Sequence, residues 1–320
     1  MAVERSARRK LDDLFCRLAD PAAPTADVAD EQIPDLAHMA SDHNVSTILY
    51  RKIGAARLAT LAPQLVAEAE GLTAITLRLE SLLPRLRGAF ADHGLDPIIV
   101  KGPVFAERLY SDPADRPFTD IDIVAQPDDF AAIGTILGEI GLHQYLKASF
   151  DRSEANQEQK WISDADPNLL IELHGDLVHY PGLRRRVRLG HAELTALGPD
   201  ATTTLFLTAV AHGALGHKFH TLRLVLDVLQ AFRAFSLSER STLLDQARAA
   251  RLHLETLQSL QLIGTMFGDN DALELVRSAR GGGIARSCMI AGRDVLSAPD
   301  ATSSKLRRHM FRLFQRYSAR

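Results

Sequence analysis

The stretch Arg116-Pro117-Phe118-Thr119-Asp120-Ile121-Asp122-Ile123-Val124 alternates acidic and β-branched residues from Asp120 onward. That period-2 pattern predicts a strand with one apolar face, and in a strand residues i and i+2 point the same way. Asp120 and Asp122 are therefore expected to leave one face together, about 7 Å apart at Cα from the strand rise. Two carboxylates held that close repel unless a cation stands between them. Hard oxygen ligands converging from a rigid element are what a Mg²⁺ site requires.

Upstream, Asp96-Pro97-Ile98-Ile99-Val100-Lys101-Gly102-Pro103 reads as a short β-branched strand ending in a turn. Residues 104–110 then read as a short helix with Pro103 at its first position. Downstream, Gln126-Pro127-Asp128-Asp129 opens a helix with an acidic first turn, which Gly141 ends. Residues 151–167 are polar and read as a loop or irregular hairpin. Leu169-Leu170-Ile171-Glu172-Leu173-His174-Gly175 is a third strand, with Glu172 and His174 on one face. If this strand lies beside the Asp120 strand, three carboxylates converge. The helix start at Gly102 then offers backbone N–H groups and a positive dipole end to a polyphosphate.

The segments on either side are helical in pattern. Val45, Ile48, Leu49 and Ile53 form one apolar stripe, and Leu79, Leu82, Leu83 and Leu86 form another. Asp20-Pro21-Ala22-Ala23-Pro24 breaks the first helix, and Gly281-Gly282-Gly283 reads as a turn between late helices. The expected class is α+β. A small mixed-sheet core over 93–185 lies between an N-terminal helical subdomain, 1–92, and a C-terminal helical domain, 186–320.

The 320 residues are 46% apolar and 24% charged, which fits a protein with a full core. A net charge of −3 gives no whole-molecule attraction to nucleic acid or an anionic membrane. No apolar run is long enough for a membrane span. Cys16 and Cys288 are the only cysteines, so no disulfide framework or Cys-based zinc site is expected, in keeping with a cytoplasmic location.

The order strand–Gly–helix, Asp-x-Asp, then a third acid on a separate strand resembles the DNA polymerase beta-like nucleotidyltransferase superfamily. The variant Lys101-Gly102…Leu109-Tyr110-x5-Arg116-Pro117-Phe118-x-Asp120-Ile121-Asp122, followed by Glu172-Leu173-His174, is similar to its poorly characterised bacterial branch. The run Leu222-Arg223-Leu224-Val225-Leu226-Asp227 after His212 matches that branch more weakly. The resemblance implies transfer of a nucleoside monophosphate from an NTP, ATP among them, to an acceptor hydroxyl, with release of pyrophosphate. It implies Asp120, Asp122 and Glu172 as catalytic metal ligands for two Mg²⁺ ions, with Mn²⁺ as an alternative ion. Glu172 would also orient or activate the acceptor, and Gly102 would lie against the triphosphate. Lys101, Arg116 and His174 are the further candidates for nucleotide contact. The acceptor, whether a small molecule, a protein or tRNA, does not follow, nor does the oligomeric state. Pro103 departs from the superfamily pattern, because proline removes one N–H from the phosphate turn. The alternative is a catalytically inactive nucleotide-binding or protein-interaction module on the same fold.

Other residues carry two readings. Arg116 either contacts phosphate or forms a structural ion pair, and Asp227, in an apolar run, reads as a buried ion-pair member. His212, His217 and His220 do not share one helical face, so pocket lining or packing is expected rather than a metal cluster. The run Arg184-Arg185-Arg186-Val187-Arg188 reads as a solvated face, and the basic stretch 305–320 as a terminal helix packing an apolar stripe on the rest.

Overall fold

The computed structural model describes residues 2–145, 158–279, 289–297 and 302–317. Gly281–Gly283 and Cys288 lie outside the described residues. The described strands are β1 (Ile98–Val100), β2 (Ile121–Val124), β3 (Leu142–Tyr145), β4 (Glu158–Ser163) and β5 (Leu170–His174). They form a single mixed sheet in the order β1-β2-β5-β4-β3. The β2/β5 pair is parallel and sets Asp122 beside Glu172 and Val124 beside His174. The other pairs are antiparallel: Val100 lies opposite Asp122, and Lys160 opposite Glu172. Helical regions flank this sheet, so the class is α+β.

The period-2 alternation sorts the two faces. Ile121, Ile123, Ile171 and Leu173 are fully buried against Leu79, Leu82 and Leu86 of the helix Pro63–Asp92, together with Ile133 and Leu137 of the helix Phe130–Glu139. Each such side chain contributes about 1.5–3 kcal/mol by leaving water. Val100 and Val124, on the opposite face, join the larger core built with Phe105 and the C-terminal helices. The polar residues of that second face form the site.

The sequence reading omits two strands. β3 follows Gly141, and β4 comes from the polar segment assigned to a loop or irregular hairpin. Both carry polar residues because neither is covered on both faces. Gln144 and Tyr145 are at least partly exposed, and Glu158, Lys160 and Trp161 are partly so. The helix after β1 runs Gly102–Leu109, beginning one residue before Pro103. Pro127–Asp129 forms a 3₁₀ turn ahead of the helix Phe130–Glu139.

The N-terminal stripes pack as read: Val45, Ile48 and Leu49 are buried, as are Leu79, Leu82, Leu83 and Leu86. The terminal helix Thr302–Tyr317 packs as well, through Phe311 rather than Leu306 or Met310, which are exposed. Of the arginine run, Arg186 is no solvated residue; it pairs with the fully buried Glu255. No helix among the described residues is long and apolar enough to cross a membrane.

Candidate active site

Local packing fixes where the acidic residues stand. Thr76 of the long N-terminal helix donates its hydroxyl to the Phe118 carbonyl and accepts from the Phe118 N–H, both at 3.0 Å. This pins the backbone two residues before Asp120, which lies just ahead of β2. Gly102 opens its helix against the same segment. A Cβ at Gly102 would stand 3.0 Å from the Phe118 Cβ and 3.3 Å from the Asp120 carbonyl oxygen. The glycine thus suits the close approach of the helix start to the acid-bearing strand, where a Cβ would be tight. Lys101 takes the strained bend between β1 and this helix, with φ of 54°.

Asp122 is almost fully buried, and its Oδ1 accepts from Lys101 Nζ and His174 Nε2, each at 2.8 Å. Burial pushes its carboxyl upward, but the Lys101 charge and the His174 hydrogen bond outweigh that and hold it well below the usual carboxylate range. Glu172 lies beside it, 3.6 Å from His174 Nε2, and pairs with Lys160 across β4. Ligand atoms of Asp122, Glu172 and His174 all lie within 4.8 Å of one another. Asp120 stands outside this tightest group and joins it through charge. Burial, then the nearby Asp122 and Glu172 charges, push its carboxyl up to about 6. Among the described residues no side chain makes a direct ion pair with Asp120.

These acids line a cavity of about 480 Å³, within the range of small-ligand sites. Lys101, Gly102, Lys160 and Arg223 also line it. Arg116 reaches the cavity, but its guanidinium is engaged elsewhere. It holds Asp227 in a fork, Nε–Oδ1 2.7 Å and Nη2–Oδ2 3.0 Å, while Tyr110 donates to Asp227 Oδ1 at 2.9 Å. Of its two readings, the structure shows the ion pair, and Asp227 is the buried member anticipated for it. Arg223, one helical turn before Asp227, has an Nε with no hydrogen-bond partner among the described residues. Burial and the Arg116 charge lower its pKa to about 10. It is the less committed guanidinium.

The opposite wall comes from a π-helical turn, His212–His217. π-Bulges recur at functional sites. His212 and His217 line the cavity, with ring centroids 4.8 Å apart. Burial and then the His220 charge lower the His217 pKa to about 4, so its ring is neutral near pH 7. Among the described residues the three imidazoles do not meet as a metal cluster.

Sequence reasoning missed Lys160, Glu158, His179, Tyr180 and Arg223. Lys160 and Glu158 share the face of β4 that the register aligns with Glu172 and His174, but the sequence reading takes that segment for a loop or irregular hairpin. Tyr180 had no readable signal. It is held from a distance by the terminal helix, where Arg316 donates to its hydroxyl at 2.7 Å and Arg312 and Arg316 lie over its ring.

Clustered carboxylates on a parallel strand pair stand beside a helix start and among basic side chains, and Asp122, Glu172 and His174 are placed so that they could hold a metal ion. The chain belongs to the family described as uncharacterised nucleotidyltransferase, which matches residues 29–268 of the 320. That span takes in the whole sheet and helices on both sides of it. Membership supports nucleotidyl transfer as the general role. No curated protein and no solved structure matches the chain.

Proposed function

We propose that the protein is a Mg²⁺-dependent nucleotidyltransferase that moves an NMP from an NTP to an acceptor hydroxyl and releases pyrophosphate. The observation that carries this reading is the β2/β5 register, which sets Asp122 beside Glu172 on a cavity wall that Asp120 shares. The donor set suits a hard divalent ion: three carboxylates, one of them without an internal cation of its own and pushed to about 6 by its neighbours. Asp120, Asp122 and Glu172 would hold the ions, Mg²⁺ or alternatively Mn²⁺. When bound, the metal would supply positive charge to the triphosphate and to the leaving pyrophosphate.

The chain's own residues do the rest. The N–H groups of Gly102 and Val104, free of the first helical hydrogen bonds, receive phosphate oxygens, and Pro103 between them contributes none. Arg223 and Lys160 add charge at the cavity wall in the place first given to Arg116. Glu172 orients the acceptor hydroxyl and accepts its proton. His174, on the same face of the sheet, holds Asp122 in place through its Nε2.

The test is calorimetric titration of each NTP with and without Mg²⁺, coupled to a pyrophosphate-release assay. Metal-dependent binding that Asp120→Asn abolishes supports the reading. NTP binding with no turnover toward any acceptor fraction would favour the inactive module, and metal-independent behaviour unaffected by Asp120→Asn would overturn transfer altogether.

A further inference from the structure

His174 reaches further than the carboxylates it supports. Its side chain is completely buried. A carboxylate can only accept, so the 2.8 Å contact to Asp122 requires the hydrogen of His174 to sit on Nε2. In the neutral ring its Nδ1 then carries a lone pair, and that nitrogen has no hydrogen-bond partner among the described residues. An orphaned imidazole nitrogen in a fully buried side chain needs an explanation.

The neighbouring groups supply one. Glu158 lies opposite His174 across the β4/β5 pair. His179 contacts Glu158 through Nδ1 to Oε2 at 3.0 Å, and its ring centroid lies 5.1 Å from that of His174, edge to face. One ligand atom from each of Glu158, His174 and His179 falls within 4.8 Å of the others. With Nε2 taken by Asp122, Nδ1 is the atom His174 has left to offer.

We propose that Glu158, His174 and His179 form a second metal site, distinct from the carboxylate site and selective for a Zn²⁺-class ion. Two imidazoles and one carboxylate are the donor set of catalytic zinc centres, which keep a fourth position open, whereas Mg²⁺ prefers oxygen ligands and retained waters. The Asp122–His174 pair then has the form of a carboxylate–histidine–metal relay, in which the partner of the far nitrogen fixes tautomer and orientation. Glu158 and His179 line the cavity, so an ion held there meets whatever molecule the cavity takes, on the side away from Gly102. Glu158 and His179 are partly exposed, which gives the ion an entry path.

The experiment measures Zn²⁺ affinity by competition with a chelating dye, in excess Mg²⁺ and without nucleotide, on the full chain. Visible absorption of the Co²⁺-loaded protein reports coordination. One tight ion per chain with the intense bands of four-coordinate Co²⁺ is expected. Affinity should fall at least hundredfold in His179→Ala and Glu158→Ala, both at sites open enough to tolerate truncation. Asp122→Asn, which removes the relay partner, should lower it by about 10–100-fold. Asp120→Asn should leave Zn²⁺ affinity unchanged while removing Mg²⁺-dependent NTP binding, so the two sites fail separately. Zn²⁺ affinity equal in wild type, His179→Ala and Glu158→Ala, or a six-coordinate Co²⁺ spectrum, would overturn the proposal.

Discussion

Replacing Asp120 by Asn should stabilise the metal-free protein. Asp120 carries the one charge of the carboxylate cluster that no internal cation pairs with directly, and its pKa rises from 3.8 to about 6 on folding. Burial contributes most, followed by the Asp122 and Glu172 charges. A carboxyl whose folded pKa is raised binds its proton more tightly in the native state, so ionising it costs the fold. That cost is fully present above about pH 6 and disappears as pH falls below the unfolded value near 4. A shift of about two units corresponds to about 3 kcal/mol at pH 7.5. The amide of Asn carries no charge to desolvate, so the variant should exceed wild type by about 2–3 kcal/mol at pH 7.5 and come within about 0.5 kcal/mol of it at pH 4. Urea denaturation in EDTA at pH 4, 5.5 and 7.5 reads this directly. Saturating Mg²⁺ should then raise the wild-type midpoint and leave that of the variant nearly unmoved. A variant less stable than wild type at pH 7.5 would refute the reasoning, because Asp120 would then be a structural anion.

Three further perturbations separate structural from catalytic roles. Arg116→Leu strands Asp227 in the core with only Tyr110 as partner, so it should cost about 3–5 kcal/mol in urea denaturation, and an Arg116→Met, Asp227→Leu double variant should recover most of that. Glu172→Gln should abolish pyrophosphate release while leaving the fold intact by circular dichroism, since it removes an acceptor for the hydroxyl proton and keeps its shape. Lys101→Met removes a cation that competes for Asp122, so Mg²⁺ should bind about tenfold more tightly by calorimetry, equivalent to about 1.4 kcal/mol.

How much of this was legible depends on burial. β1, β2 and β5 announce themselves because their apolar residues, most of them β-branched, pack on both sides: Ile121, Ile123, Ile171 and Leu173 on one, Val100 and Val124 on the other. The Asp122/Glu172 convergence required one assumption, that these strands are neighbours, and the register supplies it. β3 and β4 escape notice because an edge strand and its partner need only one apolar face, and β4 spends its other face on Glu158 and Lys160. Arg116 shows a different limit. Its neighbourhood to Asp120 is written in the sequence, but Asp227, which claims its guanidinium, lies 111 residues away. Spacing along the chain marks Asp227 as a buried acid and says nothing about which cation meets it. The same holds for Tyr180, whose place at the cavity depends on arginines of the terminal helix.

The distribution of cationic and hydrogen-bonding partners explains how the site folds before any ion arrives. Asp122 is answered by Lys101 and His174, Glu172 by Lys160, and Glu158 by His179 and Lys160. Desolvating several carboxylates together would otherwise cost several kcal/mol each. Only Asp120 is left to bear its repulsion, and it is also the acid at the strand's entrance, partly exposed rather than buried. An incoming cation therefore gains most at Asp120, where charge is unpaired and water still has access. Under the proposed function, an ion engaging Asp122 Oδ1 would compete with Lys101 for that oxygen. Under the proposed function, metal affinity would then depend on the lysine at the end of β1 as well as on the number of carboxylates. That lysine is placed by the backbone bend with φ of 54°, after which Gly102 opens the next helix.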